Sequence, residues 1–183
     1  MSTAIVAIAM LSGCATQVTK GTTSDSAAAS ATAAPAQPVT VPAASAKKVV
    51  LSMTGPKNVT DSKDWASFKE EWRATFAEHA KDAGIAFSVQ EGSVAAGVDG
   101  TLLNVYVNDY RQVGIGSRIF FGVMTGNAFI DAKVQFASLS NGQTFGTQTY
   151  NTTSSAWHGV FGKMTPQQVD AIAAEIFAEI KNH

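Results

Sequence analysis

From Lys47 to Thr54 (KKVVLSMT) the alternation of side chains predicts a strand with Val49, Leu51 and Met53 on one face, closed by Gly55-Pro56. The period then changes to three and four. Trp65, Phe68, Trp72, Phe76, His79 and Ala83 share one stripe of a helix, opened by Asp61 or Ser62 and stopped by Gly84. Lys69, Glu70, Arg73, Glu78 and Lys81 occupy its opposite face. An aromatic stripe between two strands is core, and burying each of its large rings contributes roughly 1.5–3 kcal/mol.

Alternation resumes after the helix. Ile85 to Gln90 reads as a second strand, followed by a loop of small residues from Glu91 to Gly100. Leu102 to Val113 is a longer strand with Leu103, Val105 and Val107 on one face and Tyr106 and Tyr110 on the other. Ala128 to Leu139 puts Ile130, Ala132, Val134 and Phe136 inward and Asp131, Lys133 and Gln135 outward. Asn141-Gly142 predicts a type I′ turn leading into a partner strand from Gln143 to Tyr150. Thr165 as N-cap, Pro166 as first helical residue and Gln168 completing a capping box open a last helix, whose stripe is Val169, Ile172, Ala173, Ile176 and Ile180. The order β-α-β-β-β-β-α predicts an α+β fold, a single mixed sheet of about five strands with two main helices packed on it.

The pattern breaks down upstream. Residues 15–46 are almost entirely Ala, Thr, Ser, Pro, Gln and Val, without an aromatic residue, and Pro35, Pro38 and Pro42 interrupt helix and sheet alike. Such a segment has too little apolar surface to offset its ordering entropy and reads as a disordered tether, with a random-coil span of about 30 Å. Before it, Ala4 to Met10 is apolar but too short to cross a bilayer, and Leu11-Ser12-Gly13-Cys14 ends it. That ending resembles the lipobox of bacterial lipoproteins, although Met1-Ser2-Thr3 carries no Lys or Arg. The resemblance implies that residues 1–14 are a signal peptide ending in the lipobox, that Cys14 carries the lipid, and that residues 47–183 form the one globular domain. Ala15 rather than Asp after the cysteine implies outer-membrane sorting, with the domain in the periplasm.

Composition narrows the function classes. A single cysteine permits no intramolecular disulfide, so the domain relies on an ordinary core. Lys and Arg number 13 against 14 Asp and Glu, without a dense basic cluster, which leaves nucleic acid without an electrostatic footprint. His79, His158 and His183 lie apart from one another with no partner at ligand spacing, so no metal site is expected. The glycines Gly114, Gly116, Gly122 and Gly126 match neither a P-loop nor a dinucleotide fingerprint, and no serine sits in a Gly-x-Ser-x-Gly context. Asp99, Asp109 and Asp131 read as exposed carboxylates at strand ends. No cofactor, small-molecule substrate or enzymatic activity is expected.

A protein partner is expected instead. Tyr150 to Lys163 (YNTTSSAWHGVFGK) sets Trp157, Val160 and Phe161 in a polar frame, the composition of an interface loop, with Tyr150 at its start. Tucking these aromatics under the sheet is the plainer alternative. Arg118, Phe120 and Phe121 form a second candidate contact. Three motifs, Gly114-x-Gly-Ser-Arg118, Met124 to Ala132 (MTGNAFIDA) and Tyr150 to Trp157 (YNTTSSAW), resemble bacterial envelope lipoproteins of the domain of unknown function family 4410, over about Lys47 to Lys181. The strand-helix-strand order is similar to that of penicillin-binding-protein activator and curli-secretion lipoproteins, which bind proteins. Among similar lipoproteins are immunity proteins against antibacterial effectors of type IV secretion. The resemblance therefore implies a periplasmic immunity protein that binds and neutralises a cognate toxin, or else an assembly lipoprotein that binds an envelope machine or cell-wall synthase.

Overall fold

The computed structural model describes residues 17–21, 39–91, 97–112, 128–153 and 164–181. In chain order the elements are β1 (Gln17–Gly21), a 3-10 turn (Ser45–Lys47), β2 (Lys48–Thr54), the single-turn α1 (Lys57–Thr60), α2 (Trp65–Ala83), β3 (Ala86–Val89), β4 (Thr101–Arg111), β5 (Phe129–Ser138), β6 (Thr144–Thr153) and α3 (Met164–Lys181). One mixed sheet runs in the order β1-β6-β5-β4-β2-β3. Strand β2 lies parallel to both β3 and β4, whereas the pairs β4-β5, β5-β6 and β6-β1 are antiparallel. The expected α+β sheet with α2 and the C-terminal helix is thus present. A sixth strand, β1, joins it from the segment read as tether.

Alternation explains the buried face. Val49 and Leu51 from β2, Leu103, Val105 and Val107 from β4, and Ile130, Ala132, Val134 and Phe136 from β5 form one apolar core with the two long helices. From α2 the rings of Phe68, Trp72 and Phe76 are fully buried, and α3 adds Val169, Ile172, Ala173, Ile176, Phe177 and Ile180. Trp72 and Phe76 stack at 5.2 Å, and Phe76 meets Phe177 of α3 at 5.8 Å. The opposite face of the sheet carries polar pairs, with Asn104 donating to Gln135 and Gln135 to Thr144. Among the described residues no helix is long and apolar enough to cross a membrane.

The local signals hold with corrections. Gly84 ends α2 in the left-handed region at φ 68°, and Ile85 N–H reaches back to Ala80 O at 2.8 Å, closing the last turn. At its start the N-cap position falls on Asp64, without a side-chain cap bond, rather than on Asp61 or Ser62, and Ser62 Oγ is bonded to the Tyr110 hydroxyl at 2.6 Å. The Asn141-Gly142 hairpin exists, with Gly142 at φ 73°, but its loop is wider than a type I′ turn. Ser138 N–H bonds to Gln143 O and Gly142 N–H to Ser138 O, while Leu139 is held by its own N–H to Gly100 O. Helix α3 begins at Met164, so Thr165 lies inside it, and Gln168 does not close a capping box. Its Nε2 instead donates to Ala128 O, across to the start of β5, at 2.9 Å.

Tyr110 departs from the expected face. Val107 pairs with Ala132 and Asp109 with Asp131, so Asn108 is an extra residue and the alternation slips by one. Tyr110 thereby turns inward opposite Ile130 and stacks on Phe68 at 4.1 Å and 12°.

The disordered tether expected over residues 15–46 is corrected at both ends. Gln17–Gly21 pairs with β6, and Val39 and Val41 are buried in the core. The Val39 N–H donates to Glu179 Oε2 of α3 at 3.1 Å, and its side chain lies over Gly146, where an added Cβ would come 3.0 Å from Val39 Cγ2. Farther along, Thr101 Oγ1 donates to Ser45 O at 2.8 Å. Two valines separated by one threonine are too brief a signal to stand out among alanines and prolines. Their burial needs β6 and α3 already in place.

Candidate interaction surfaces

Cys14, Arg118, Phe120, Phe121, Trp157, Val160 and Phe161 lie outside the described residues. Tyr150 does not, and it is no contact residue. It is fully buried in the core, and its hydroxyl donates to Gln148 Oε1 at 2.9 Å. Burial pushes its phenol well above the usual tyrosine range, and the negative charges of Glu179 and Glu175 add to the shift. The bulge in β6 explains the misreading: Phe136 pairs with Gly146 and Ala137 with Thr144, leaving Phe145 extra, after which Gln148, Tyr150 and Thr152 face the core. The strand runs on to Thr153 because β5 and β1 both pair with it there.

The pairing register sets the described ends of the two connections that carry the sequence candidates side by side. Arg111 pairs with Phe129, Phe129 with Thr153, and Thr153 with Gln17. Residues 113–127 leave from Arg111 and return toward Phe129, and residues 154–163 leave from Thr153. Both connections therefore attach at one end of the sheet. At this end Asp109 and Asp131 sit opposite each other on adjacent strands, and their oxygens are used locally. Asp109 Oδ1 accepts the Tyr110 N–H, and Asp131 Oδ1 accepts from Asn108. His79, on the stripe of α2, stacks against Phe177 and places Nε2 2.7 Å from Asp170 Oδ1, which ties α2 to α3. Among the described residues no cluster of His, Cys, Asp and Glu is suited to a metal ion.

A surface the sequence did not single out lies at the opposite edge. There β3 is the last strand of the sheet among the described residues, four residues long and largely exposed. Gln90 N–H bonds to Leu51 O, so in this parallel ladder the backbone groups of Ser88 and Gln90 turn toward β2 and those of Phe87 and Val89 turn outward. Between this edge and α2 opens a groove of about 270 Å³. Leu51, Met53 and Val89 supply apolar lining, and Val89 is 43% exposed. Charged side chains rim the groove. Lys69 bonds Glu91 and holds its carboxyl below the usual range, and Arg73 does the same for Glu70 through paired hydrogen bonds. An apolar floor inside a charged rim, beside an open strand edge, has the chemistry of a site that receives an extended segment of another chain. The sequence signal for it was slight: Val89 at the end of a very short strand, and Lys69, Glu70 and Arg73 at helical spacing.

No family model matches the chain, and no curated protein sequence matches it either. The resemblance to family 4410 thus rests on its three motifs alone. Solved structures do match. The PelC dodecamer from Paraburkholderia phytofirmans superposes with a TM-score of 0.50 at 14% identity, over 87% of this chain and 96% of that one. A Xanthomonas campestris protein of the DUF330 family matches with a TM-score of 0.45 at 9% identity, over 76% and 87% of the two chains. A lipoprotein from Neisseria meningitidis gives 0.37 at 14% identity, over 71% and 96%. At 14% identity the likeness to PelC is one of fold alone. The chain shares the fold of PelC.

Proposed function

We propose that the chain is a lipid-anchored protein of the periplasm, held to the outer membrane through Cys14, and that it binds and neutralises an antibacterial effector. In this reading it acts by binding, without a cofactor or a reaction of its own. The anchor is supported by the lipobox-like Leu11-Ser12-Gly13-Cys14 and the immunity role by the family resemblance. The observation that carries the binding role is the open edge of β3 beside the groove of Leu51, Met53 and Val89. A partner segment aligned on Phe87 and Val89 gains backbone hydrogen bonds from their outward groups and buries apolar side chains beneath the Lys69–Glu91 rim. Trp157, Val160 and Phe161, with Arg118, Phe120 and Phe121, are the second proposed contact. An alternative is an assembly lipoprotein, favoured by the shared fold with PelC, which forms a dodecamer.

The test is to crosslink the acylated chain in its native envelope and identify the captured protein by mass spectrometry. Immunity requires a partner that kills when exported without this chain. The substitution Val89→Arg is then expected to weaken the complex at least about tenfold, because a charge replaces a desolvated apolar contact. A Trp157→Ala/Phe161→Ala chain that loses the complex while Val89→Arg keeps it moves the contact to the other end. Capture of further copies of this chain, or of a partner harmless alone, replaces immunity with assembly.

A further inference from the structure

Only Ala15 and Thr16 stand between Cys14 and Gln17. Three residue steps reach at most about 10 Å, so Cys14 lies within that distance of the start of β1. Gln17 pairs opposite Thr153, which puts it at the end of the sheet where β6 finishes, β5 begins at Phe129 and β4 finishes at Arg111. The hairpin at the other end of the same strands is about 30 Å away along β5. We infer that the Gln17–Thr153–Phe129–Arg111 end of the sheet rests on the membrane surface. This rests on the lipid anchoring of Cys14 proposed above.

The pairing of β1 with β6 carries the inference. Without it, residues 15–38 would be a free leash with a random-coil span of roughly 25–30 Å, and no end of the domain would be favoured. With it, a lipid on Cys14 pulls on one fixed corner of the sheet. The other end of the leash adds nothing to the reach, because Gly21 pairs opposite Thr149 and Val39 lies on Gly146, both on β6. Residues 22–38 therefore leave from and return to the same strand. The open edge of β3 lies five strands across the sheet from β1, about 24 Å away, on the side turned from the anchor.

The experiment uses the full acylated chain in vesicles of phosphatidylethanolamine and phosphatidylglycerol carrying a nitroxide on the headgroup. Acylation blocks the one native thiol, so a fluorophore reacts at a single introduced cysteine, either Arg111→Cys or Gln143→Cys, both exposed positions. Quenching at position 111 is expected to exceed that at 143 by at least about twofold, since the sites stand about 30 Å apart. Two variants remove the difference. Val18→Pro/Thr19→Pro takes ladder donors from β1, and an insertion of about a dozen Gly and Ser residues between Thr16 and Gln17 lengthens the leash with β1 intact. Equal quenching in the unaltered chain, or a preference that survives the insertion, overturns the inference. The mass of the purified chain separates the two failures. A lipidated Cys14 with equal quenching overturns the orientation alone, and an unmodified Cys14 overturns the anchoring and the orientation with it.

Discussion

Tyr150 shows how one residue is placed by its neighbours rather than by its type. As a large amphipathic ring at the start of an aromatic-rich stretch it reads as an interface residue, yet its strand continues to Thr153 and seats it on the core face, next to Gln148. Its hydroxyl has a partner in Gln148 Oε1, while Gln148 Nε2, Gln168 Oε1 and Trp72 Nε1 are buried without a hydrogen-bond partner among the described residues. The buried phenol stays protonated to higher pH in the folded chain than in the unfolded one, so above about pH 10 the unfolded state alone loses this proton. Stability is therefore unaffected by this group at neutral pH and falls as pH rises past the unfolded tyrosine value, by up to about 1.4 kcal/mol per pH unit. Urea unfolding of the native chain and of Tyr150→Phe between neutral pH and pH 11 checks this. The variant, which also leaves Gln148 Oε1 without its donor, starts about 1–2 kcal/mol less stable, and the gap narrows as pH rises. A constant gap refutes the burial argument.

Elements obeyed their periodicity wherever the ladder is regular. The stripes of α2 and α3 and the inward rows of β2, β4 and β5 were all legible, because burial of one face needs only local spacing. Bulges are where reading failed. Asn108 is a single extra residue with no chemical signature, and it moves Tyr110 from the solvent face to a stack on Phe68 with a hydrogen bond to Ser62. Deleting Asn108 removes the bulge and leaves Val107 inward, Asp109 outward opposite Asp131 and Tyr110 still inward opposite Ile130. The deletion is therefore expected to keep the ring stack and the hydrogen bond, whereas Tyr110→Ala, which loses both, is expected to cost about 2 kcal/mol. Chemical denaturation of the deletion variant beside Tyr110→Ala measures it. The deletion should cost clearly less than Tyr110→Ala, and a loss as large as that of Tyr110→Ala refutes the assignment of Asn108 as the extra residue.

At the scale of the whole molecule, the segment that composition marked as a leash is tied down at both of its described ends, by β1 on β6 and by Val39 on Glu179 and Gly146. Removing residues 26–33 is therefore expected to leave the midpoint of thermal unfolding unchanged and partner capture intact. A chain that needs length to reach its partner would lose capture with the same deletion, so calorimetry and crosslinking of one variant separate the two. The amino-acid sequence by itself determined the α+β class, most element boundaries to within a residue or two and the faces that enter the core, because these depend on local period, caps and composition. Tertiary structure alone decided the strand order, the recruitment of residues 17–21 and 39–46 to the domain, the inward faces of Tyr110 and Tyr150, the common end of the two aromatic-bearing connections and the exposed edge of β3. Alternation says which side of a strand is buried but carries no information about which strand lies beside it, and each of these features is a contact between residues far apart in the chain.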